Sequence, residues 1–234
     1  MQKAALITGT GKGIGKAIAE LLLAEGYLVF GYSRNNSIEH SHFTFTKIDL
    51  SNLQEVQKVQ FPNFDVASEL LLVNNAATIG SILPLDKKGI TNIINEYHLN
   101  LITPTLLSRK FISTYTSNQK LLIHIGSGAA NNPIACWSTY CTTKSGLDML
   151  TKVIKEEKHK NLTVFSVHPG VVDTDMQKEI RKSDVNSFPL HQKFVDYYSN
   201  KELFSTNFVA LKLLQIIEKE DDFEEIILNL RDFE

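Results

Sequence analysis

Ala4-Ala5-Leu6-Ile7-Thr8-Gly9-Thr10-Gly11-Lys12-Gly13-Ile14-Gly15 is the stretch whose reading decides the fold. Its first four residues form a short apolar run, as a buried strand requires. Directly after the glycines, Ile14, Ala17, Ile18, Leu21 and Leu22 recur at i, i+3, i+4, i+7 and i+8, which is one apolar face of a helix. Gly26 stands where a helix C-cap is expected. Strand, glycine turn and helix, in that order, make an anion cradle. The glycines let the backbone come close to a pyrophosphate, and the first N–H groups of the helix have no partner inside it. The stretch therefore predicts a nucleotide-binding βαβ opening.

Apolar and amphipathic segments alternate along the rest of the chain. Strands are expected at Ala4–Thr8, Tyr27–Tyr32, Phe43–Ile48, Leu70–Val73, Leu121–Ile125, Leu162–Val167 and Ile226–Leu230. Helical patterns cover Gly13–Ala24, Leu53–Val59, Gly89–Tyr115, Tyr140–Lys158 and Thr206–Lys219. Continuous apolar strands between helices predict an α/β fold, a doubly wound (Rossmann) and mainly parallel seven-stranded sheet covered on both faces. Length and pattern predict one domain over 1–234, with a cofactor-binding half to about 125 and a catalytic and substrate half from about 126. The stretch 171–205 is the main irregular region, of mixed charge with Phe188, Tyr197 and Tyr198, and is read as a lid. Ligands of such sheets bind beyond the carboxyl ends of the strands. Gly9, Arg34, Asp49, Asn74, Ser127 and Pro169 follow the first six expected strands, so they converge on one edge.

The bulk properties narrow the classes of function. With 24 basic and 26 acidic residues, net charge is −2. No basic patch points to nucleic acid or to a membrane surface. The two cysteines, Cys136 and Cys141, form neither a disulfide framework nor a metal pattern. Free thiols and the absence of a secretory pattern point to a reducing cytoplasm, and the N-terminal apolar run is too short for a membrane span.

Tyr140 and Lys144, four apart, share a helix face, and Ser127 lies thirteen positions upstream of the tyrosine. A phenol has a free pKa of about 10. A fixed ammonium nearby favours the phenolate and makes the phenol a better proton donor, while a serine hydroxyl can hold a substrate oxygen beside it. The trio is a candidate proton-transfer device.

On these motifs the chain resembles the short-chain dehydrogenase/reductase family over nearly its whole length. Thr8-Gly9-x-x-x-Gly13-Ile14-Gly15 is similar to the family's cofactor motif, Asp49-Leu50 to its acidic pair near the adenine, and Asn74-Asn75-Ala76-Ala77 to its Asn-Asn-Ala-Gly motif. Pro169-Gly170 with Val172, Thr174 and Met176 resembles the segment at the nicotinamide end. The resemblance implies a nicotinamide cofactor that delivers hydride to a carbonyl, with Ser127 polarising the oxygen and Tyr140 donating the proton. It implies that Lys144 holds the ribose and lowers the tyrosine pKa, and that Asn100, the fourth catalytic residue, holds a relay water. It also implies assembly as a homodimer or homotetramer through the helices that carry Asn100 and Tyr140.

After the second strand the chain reads Tyr32-Ser33-Arg34-Asn35-Asn36, with no carboxylate before Glu39. An acid there would suit a ribose 2′-hydroxyl, whereas Arg34, with Ser33 and Lys12, suits a 2′-phosphate. NADP(H) is therefore the expected cofactor, with no metal. Val171 to Gln177 resembles the corresponding segment of benzil reductases and sepiapterin reductases. The expected substrate is a small-molecule ketone or vicinal diketone, held by Ser127 and Tyr140 with Trp137, Met176 and Tyr197. A pterin side-chain reductase is the alternative. It is weakened because Asn229 falls where the pterin-anchoring acid of that group would stand, unless Asp232 replaces it. A non-catalytic NADP(H)-sensing scaffold is the remaining alternative, against which the full set Asn100, Ser127, Tyr140 and Lys144 argues.

Overall fold

A computed structural model describes residues 2–66 and 68–233. Met1, Ala67 and Glu234, which belong to the expected span 1–234, lie outside the described residues. Seven strands form one sheet: β1 (Lys3–Thr8), β2 (Leu28–Ser33), β3 (Phe43–Lys47), β4 (Glu69–Asn74), β5 (Gln119–Ile125), β6 (Leu162–His168) and β7 (Ile227–Asn229). Their order is β3-β2-β1-β4-β5-β6-β7, and every pairing is parallel. The helices are α1 (Gly13–Ala24), α2 (Leu53–Lys58), α3 (Ile90–Tyr97), α4 (Thr103–Thr114), α5 (Ser138–Glu156), α6 (Asp175–Arg181), α7 (His191–Ser199) and α8 (Thr206–Glu218).

The apolar runs are continuous because successive side chains of a strand enter opposite layers. Ala5 and Ile7 of β1 join a core with Ile18 and Leu22 of α1 and Val209 and Leu213 of α8. Ala4 and Leu6 join a second core on the other face, with Leu107 and Phe111 of α4 and Val56 of α2. The chain leaves β1 toward β2 and later crosses to β4, so strand order reverses between β1 and β4. A crevice opens at that point.

Two expectations are corrected. The helix expected over Gly89–Tyr115 is broken: a π-helical segment, His98–Ile102, separates α3 from α4. Pro104 supplies the physical reason, since it has no N–H for the carbonyl of Asn100 four residues earlier. The ladder shifts there by one residue, with the Thr103 N–H reaching the carbonyl of His98. The region 171–205 is likewise not irregular. It contains α6 and α7 and is stitched to itself where Val172 bridges Phe204. Helices of seven and nine residues are too short for their periodicity to stand out from a polar sequence.

A buried ion pair fixes the loop that follows β4. Lys88 Nζ lies 3.1 Å from Glu96 Oε2, with side chains 0% and 4% exposed. Thr139 also donates to this carboxylate, as do the Ser81 N–H at 2.8 Å and the Ser81 hydroxyl at 3.1 Å. Burial pushes the Glu96 pKa up, but the bonds from Thr139, Ser81 and Lys88 outweigh it and hold the group below its usual value. A carboxylate depressed in this way adds stability above its unfolded pKa of about 4.3 and loses it as pH falls through the folded value. Lys88→Met, which strands a buried carboxylate, is expected to cost about 3–5 kcal/mol in urea unfolding at pH 7. An unchanged midpoint would show that the pair carries no stability.

Candidate active site

The carboxyl ends of the strands enclose a cavity of about 1040 Å³. Its floor is the fork between β1 and β4. Asn75 Nδ2 donates to the Thr8 carbonyl at 2.9 Å, and the N–H groups of Asn75 and Ala76 donate to the Thr8 hydroxyl at 2.9 and 3.0 Å. Gly9 has φ +77°, and a Cβ there would stand 2.8 Å from Asn75 Nδ2. Gly15 lies behind the wall rather than in it, where a Cβ would come within 2.3 Å of that amide and 2.4 Å of the Gly9 carbonyl oxygen. Its role is the close approach of α1 to the fork.

The first turn of α1 has no side-chain cap, because Lys12 at the N-cap makes no capping bond. By contrast, Asn52 caps α2 and Ser205 caps α8. Gly13 and Ile14 line the cavity, so the uncapped N–H groups face a space that a pyrophosphate fits. Further along the same wall stand Ser33, Arg34, Asp49 and Leu50. Asp49 is held below its ordinary pKa first by the Ser51 hydroxyl, then by the Ser51 N–H and by the charge of Arg34. The wall after β2 offers a cation and a hydroxyl but no acid. A dinucleotide with a phosphorylated adenine ribose fits these residues.

Three neighbours qualify that wall. The Ser33 hydroxyl donates to the Asn35 carbonyl at 2.6 Å, so its proton is engaged within its own turn. Lys12 Nζ is paired with Asp175 Oδ2 at 2.9 Å, which ties the glycine turn to α6. That pair is exposed and worth about 0–1 kcal/mol. Asn74 does not line the cavity: its side chain is buried and donates to Ser108 Oγ at 3.1 Å.

The proton-transfer residues meet at the middle of the cavity. Ser127 follows β5, while Tyr140 and Lys144 project from the first two turns of α5, and all three line the wall. Tyr140 is 7% exposed and Lys144 is 3% exposed. Burial pushes the Tyr140 phenol up to about 12, opposed by a hydrogen bond with Ser127. Burial brings Lys144 down to about 8, opposed by the charge of Asp148. The expected lowering of the tyrosine pKa by the lysine is therefore not what these protein groups produce. Lys144 Nζ donates to the Ile125 carbonyl at 2.7 Å and lies 5.7 Å from the centre of the phenol ring, so its charge is aimed at the sheet.

Asn100 lies outside the cavity wall, inside the π-helical segment. Its amide bridges both backbone groups of Thr78, accepting from the N–H at 2.9 Å and donating to the carbonyl at 2.8 Å. Its side chain thus fixes the loop after Ala77, and Pro104 leaves its carbonyl without the usual helical donor.

At the far end the wall is apolar and aromatic. Trp137 is T-shaped to Tyr140 at 5.5 Å, stacked on Phe188 at 5.6 Å and against Phe194 at 5.2 Å. Met176, Ile180, Leu190 and Tyr197 complete this part of the lining. Cys136, in the left-handed region at φ +70°, turns the chain just before Trp137, and its thiol faces the Ser187 carbonyl at 3.0 Å. Pro169, Gly170, Val172 and Thr174 line the edge after β6. Asn229, singled out from the sequence, lines the cavity, as do His168, Lys193 and Arg231, which were not. Only His168 carried a signal, its place directly before Pro169-Gly170. Among the described residues, no group of three or more His, Cys, Asp or Glu side chains could hold a metal, and no helix is long and apolar enough to cross a membrane.

Trp137 is the sole tryptophan. A ligand entering the cavity is expected to quench its emission saturably, and Trp137→Phe is expected to abolish the signal while leaving ligand affinity within about threefold. A ligand that bound without altering the emission would place the binding site away from this wall.

Residues 3–185 match the family model described as short chain dehydrogenase. The chain is 36% identical over 226 residues to a benzil reductase ((S)-benzoin forming) of Bacillus subtilis (strain 168), covering 92% of this chain and 93% of that one. It is 28% identical to a sepiapterin reductase of Meriones unguiculatus, covering 92% and 91%. Its backbone is similar to the closed form of a serine dehydrogenase solved with NADP+, with a TM-score of 0.81, 18% identity and coverage of 97% and 93%. With the glycine turn, the seven parallel strands and the Ser127, Tyr140 and Lys144 cluster around one cavity, these matches show that the chain belongs to the short-chain dehydrogenase/reductase family, in the branch of the benzil and sepiapterin reductases.

Proposed function

We propose that the protein is an NADPH-dependent carbonyl reductase acting on a ketone or vicinal diketone flanked by apolar or aromatic groups. The observation that carries this reading is the junction of Ser127, Tyr140 and Lys144 with the apolar wall of Trp137, Met176, Phe194 and Tyr197 inside one cavity. The likeness to benzil reductases supports it.

Gly9, Gly13, Ile14, Asn75 and Ala76 would hold the pyrophosphate and neighbouring ribose, Arg34 and Lys12 the 2′-phosphate, and Gly170, Val172 and Thr174 the nicotinamide end. When bound, the nicotinamide supplies the hydride. The chain's own residues do the rest. The Ser127 hydroxyl donates to the carbonyl oxygen and orients it. The Tyr140 phenol, kept protonated by burial, gives its proton to the alkoxide as charge develops there. Lys144 returns a proton to the Tyr140 phenolate and takes one back from solvent water, which restores both groups for the next turnover. Asn100 and Thr78 hold the loop over this path. The aromatic wall excludes water from the reacting carbonyl. We read residues 1–234 as one catalytic domain that works in the cytoplasm. Copies associate, as a homodimer or homotetramer, through the exposed apolar residues Ile90 and Ile94 of α3 and Met149 and Val153 of α5.

The pterin alternative fares less well. Asn229 and Arg231 line the wall near the end of the chain, Asp232 does not, and the Asn229 amide reaches Asp232 Oδ1 at 3.3 Å. That wall offers an amide and a cation rather than a free carboxylate.

Benzil and sepiapterin assayed side by side with NADPH are expected to give the higher kcat/KM with benzil; turnover of neither would remove the substrate class. Tyr140→Phe is expected to lower kcat/KM at least about 100-fold, and an enzyme with full turnover would refute Tyr140 as proton donor. Arg34→Asp is expected to shift preference from NADPH toward NADH by about ten- to a hundredfold, measured as the ratio of the two KM values. An unchanged ratio would reassign the cofactor.

A further inference from the structure

Tyr140, Lys144 and Asp148 stand at i, i+4 and i+8 on the buried face of α5 and are 7%, 3% and 5% exposed. The proposed reaction uses the first two. The third is a buried acid with both carboxylate oxygens engaged by β6. Oδ1 accepts from the Ser166 hydroxyl at 2.6 Å, and Oδ2 lies 2.9 Å from His168 Nε2. Ser166 and His168 alternate along β6, so they present their side chains on the same face. Gly126, the residue after β5, closes the clamp: a Cβ there would come within 2.5 Å of both Ser166 Oγ and His168 Cδ2. The carboxylate therefore has one position. His168 is itself part of the cavity wall, directly before Pro169.

We propose that Asp148, clamped by Ser166 and His168, is a positioning residue of the reduction, the fixed counter-charge that keeps Lys144 protonated beneath Tyr140. It rests on the reductase reading only where it concerns turnover. Among the described residues the buried ammonium has one hydrogen-bond partner, the neutral Ile125 carbonyl. The titratable groups around it are few. Tyr140, Cys141 and Asp148 come from α5, His124 from β5 and His168 from β6. His124 is fully buried between Ser108 and Thr151, and burial together with the Lys144 charge brings its pKa down to about 3, so it is neutral. Glu96 of α3 is neutralised by Lys88. Asp148 is the charge that opposes the burial of Lys144.

Asp148→Asn removes the charge and keeps the shape. The new amide can accept from Ser166 through oxygen and donate to His168 Nε2 once the ring carries its proton on Nδ1. Two readouts test it. In the protein without added cofactor, the Lys144 ammonium is titrated by NMR and assigned by its loss in Lys144→Met. Its midpoint is expected to fall by about one unit in Asp148→Asn. In the reductase assay with NADPH and benzil, the basic limb of the kcat/KM profile is expected to fall by the same amount, with cofactor affinity unchanged. An unmoved Lys144 midpoint overturns the proposal. A midpoint that moves while the limb stays overturns the role in the reduction. If the parent chain reduces no carbonyl and the midpoint still shifts, it is the reductase reading that fails and not the counter-charge. Should Asp148→Asn not fold, Ser166→Ala decides. It leaves the charge in place and less shielded, so the Lys144 midpoint is expected to rise by a few tenths of a unit; an unmoved or lower midpoint overturns the proposal.

Discussion

The Thr8 hydroxyl is the contact on which the site depends. It donates to the Val73 carbonyl at 3.3 Å and accepts from the N–H groups of Asn75 and Ala76 at 2.9 and 3.0 Å. Where β1 and β4 part, the ladder between them ends and backbone groups on both strands lose their partners. One hydroxyl, donor and acceptor at once, satisfies three of them. An apolar residue of the same shape would leave two inward-facing N–H groups unpaired, at a cost of about 1–3 kcal/mol each. The Asn75 side chain completes the unit from the other strand, and the glycines at 9 and 15 allow the parts to come this close. The crevice is thus a hydrogen-bonded floor, set by strand order, from which the glycine turn leaves on one side and the catalytic loops on the other.

Burial does the chemical tuning above that floor. The same apolar surroundings act on Tyr140 and Lys144 in opposite senses, keeping the phenol protonated and easing the proton off the ammonium. Between them these shifts part the two groups, so that a proton passes downhill from the Lys144 ammonium to a Tyr140 phenolate. Trp137 packs edge-on against Tyr140 and shares a buried cluster with Phe188 and Phe194, so the aromatic side chains contribute to the burial that raises the phenol. The region 171–205 and α5 are one packed cluster, joined through Ile180 and Phe194 to Tyr140.

Much of the fold was legible in the primary structure because its signals are local. A buried parallel strand reads as an apolar run, and α1 reads as a stripe after glycines. What was not legible depended on groups far apart in the chain. The break between α3 and α4 was marked by Pro104, but the periodic pattern on either side hid it. The helices α6 and α7 are held by packing in the cluster around Trp137 rather than by a pattern of their own. Asn74 looks like a cofactor contact by motif, yet it turns inward to Ser108, thirty-four residues away. Lys88 and Glu96, eight apart, show no ion-pair spacing on a helix, and Gly89 intervenes at the helix start.

By itself the sequence determined the order of strands and helices, the glycine cradle, the Tyr140 and Lys144 spacing and the cation after β2, because each is fixed by neighbours within a few residues. Only the tertiary structure decided how those groups are charged and aimed. Lys144 points to Ile125, Lys12 is shared with Asp175, Asn100 braces Thr78, and Asp148 is pinned by β6. Solvent exclusion and the direction of a side chain belong to the packed molecule, and no stretch of chain carries them alone.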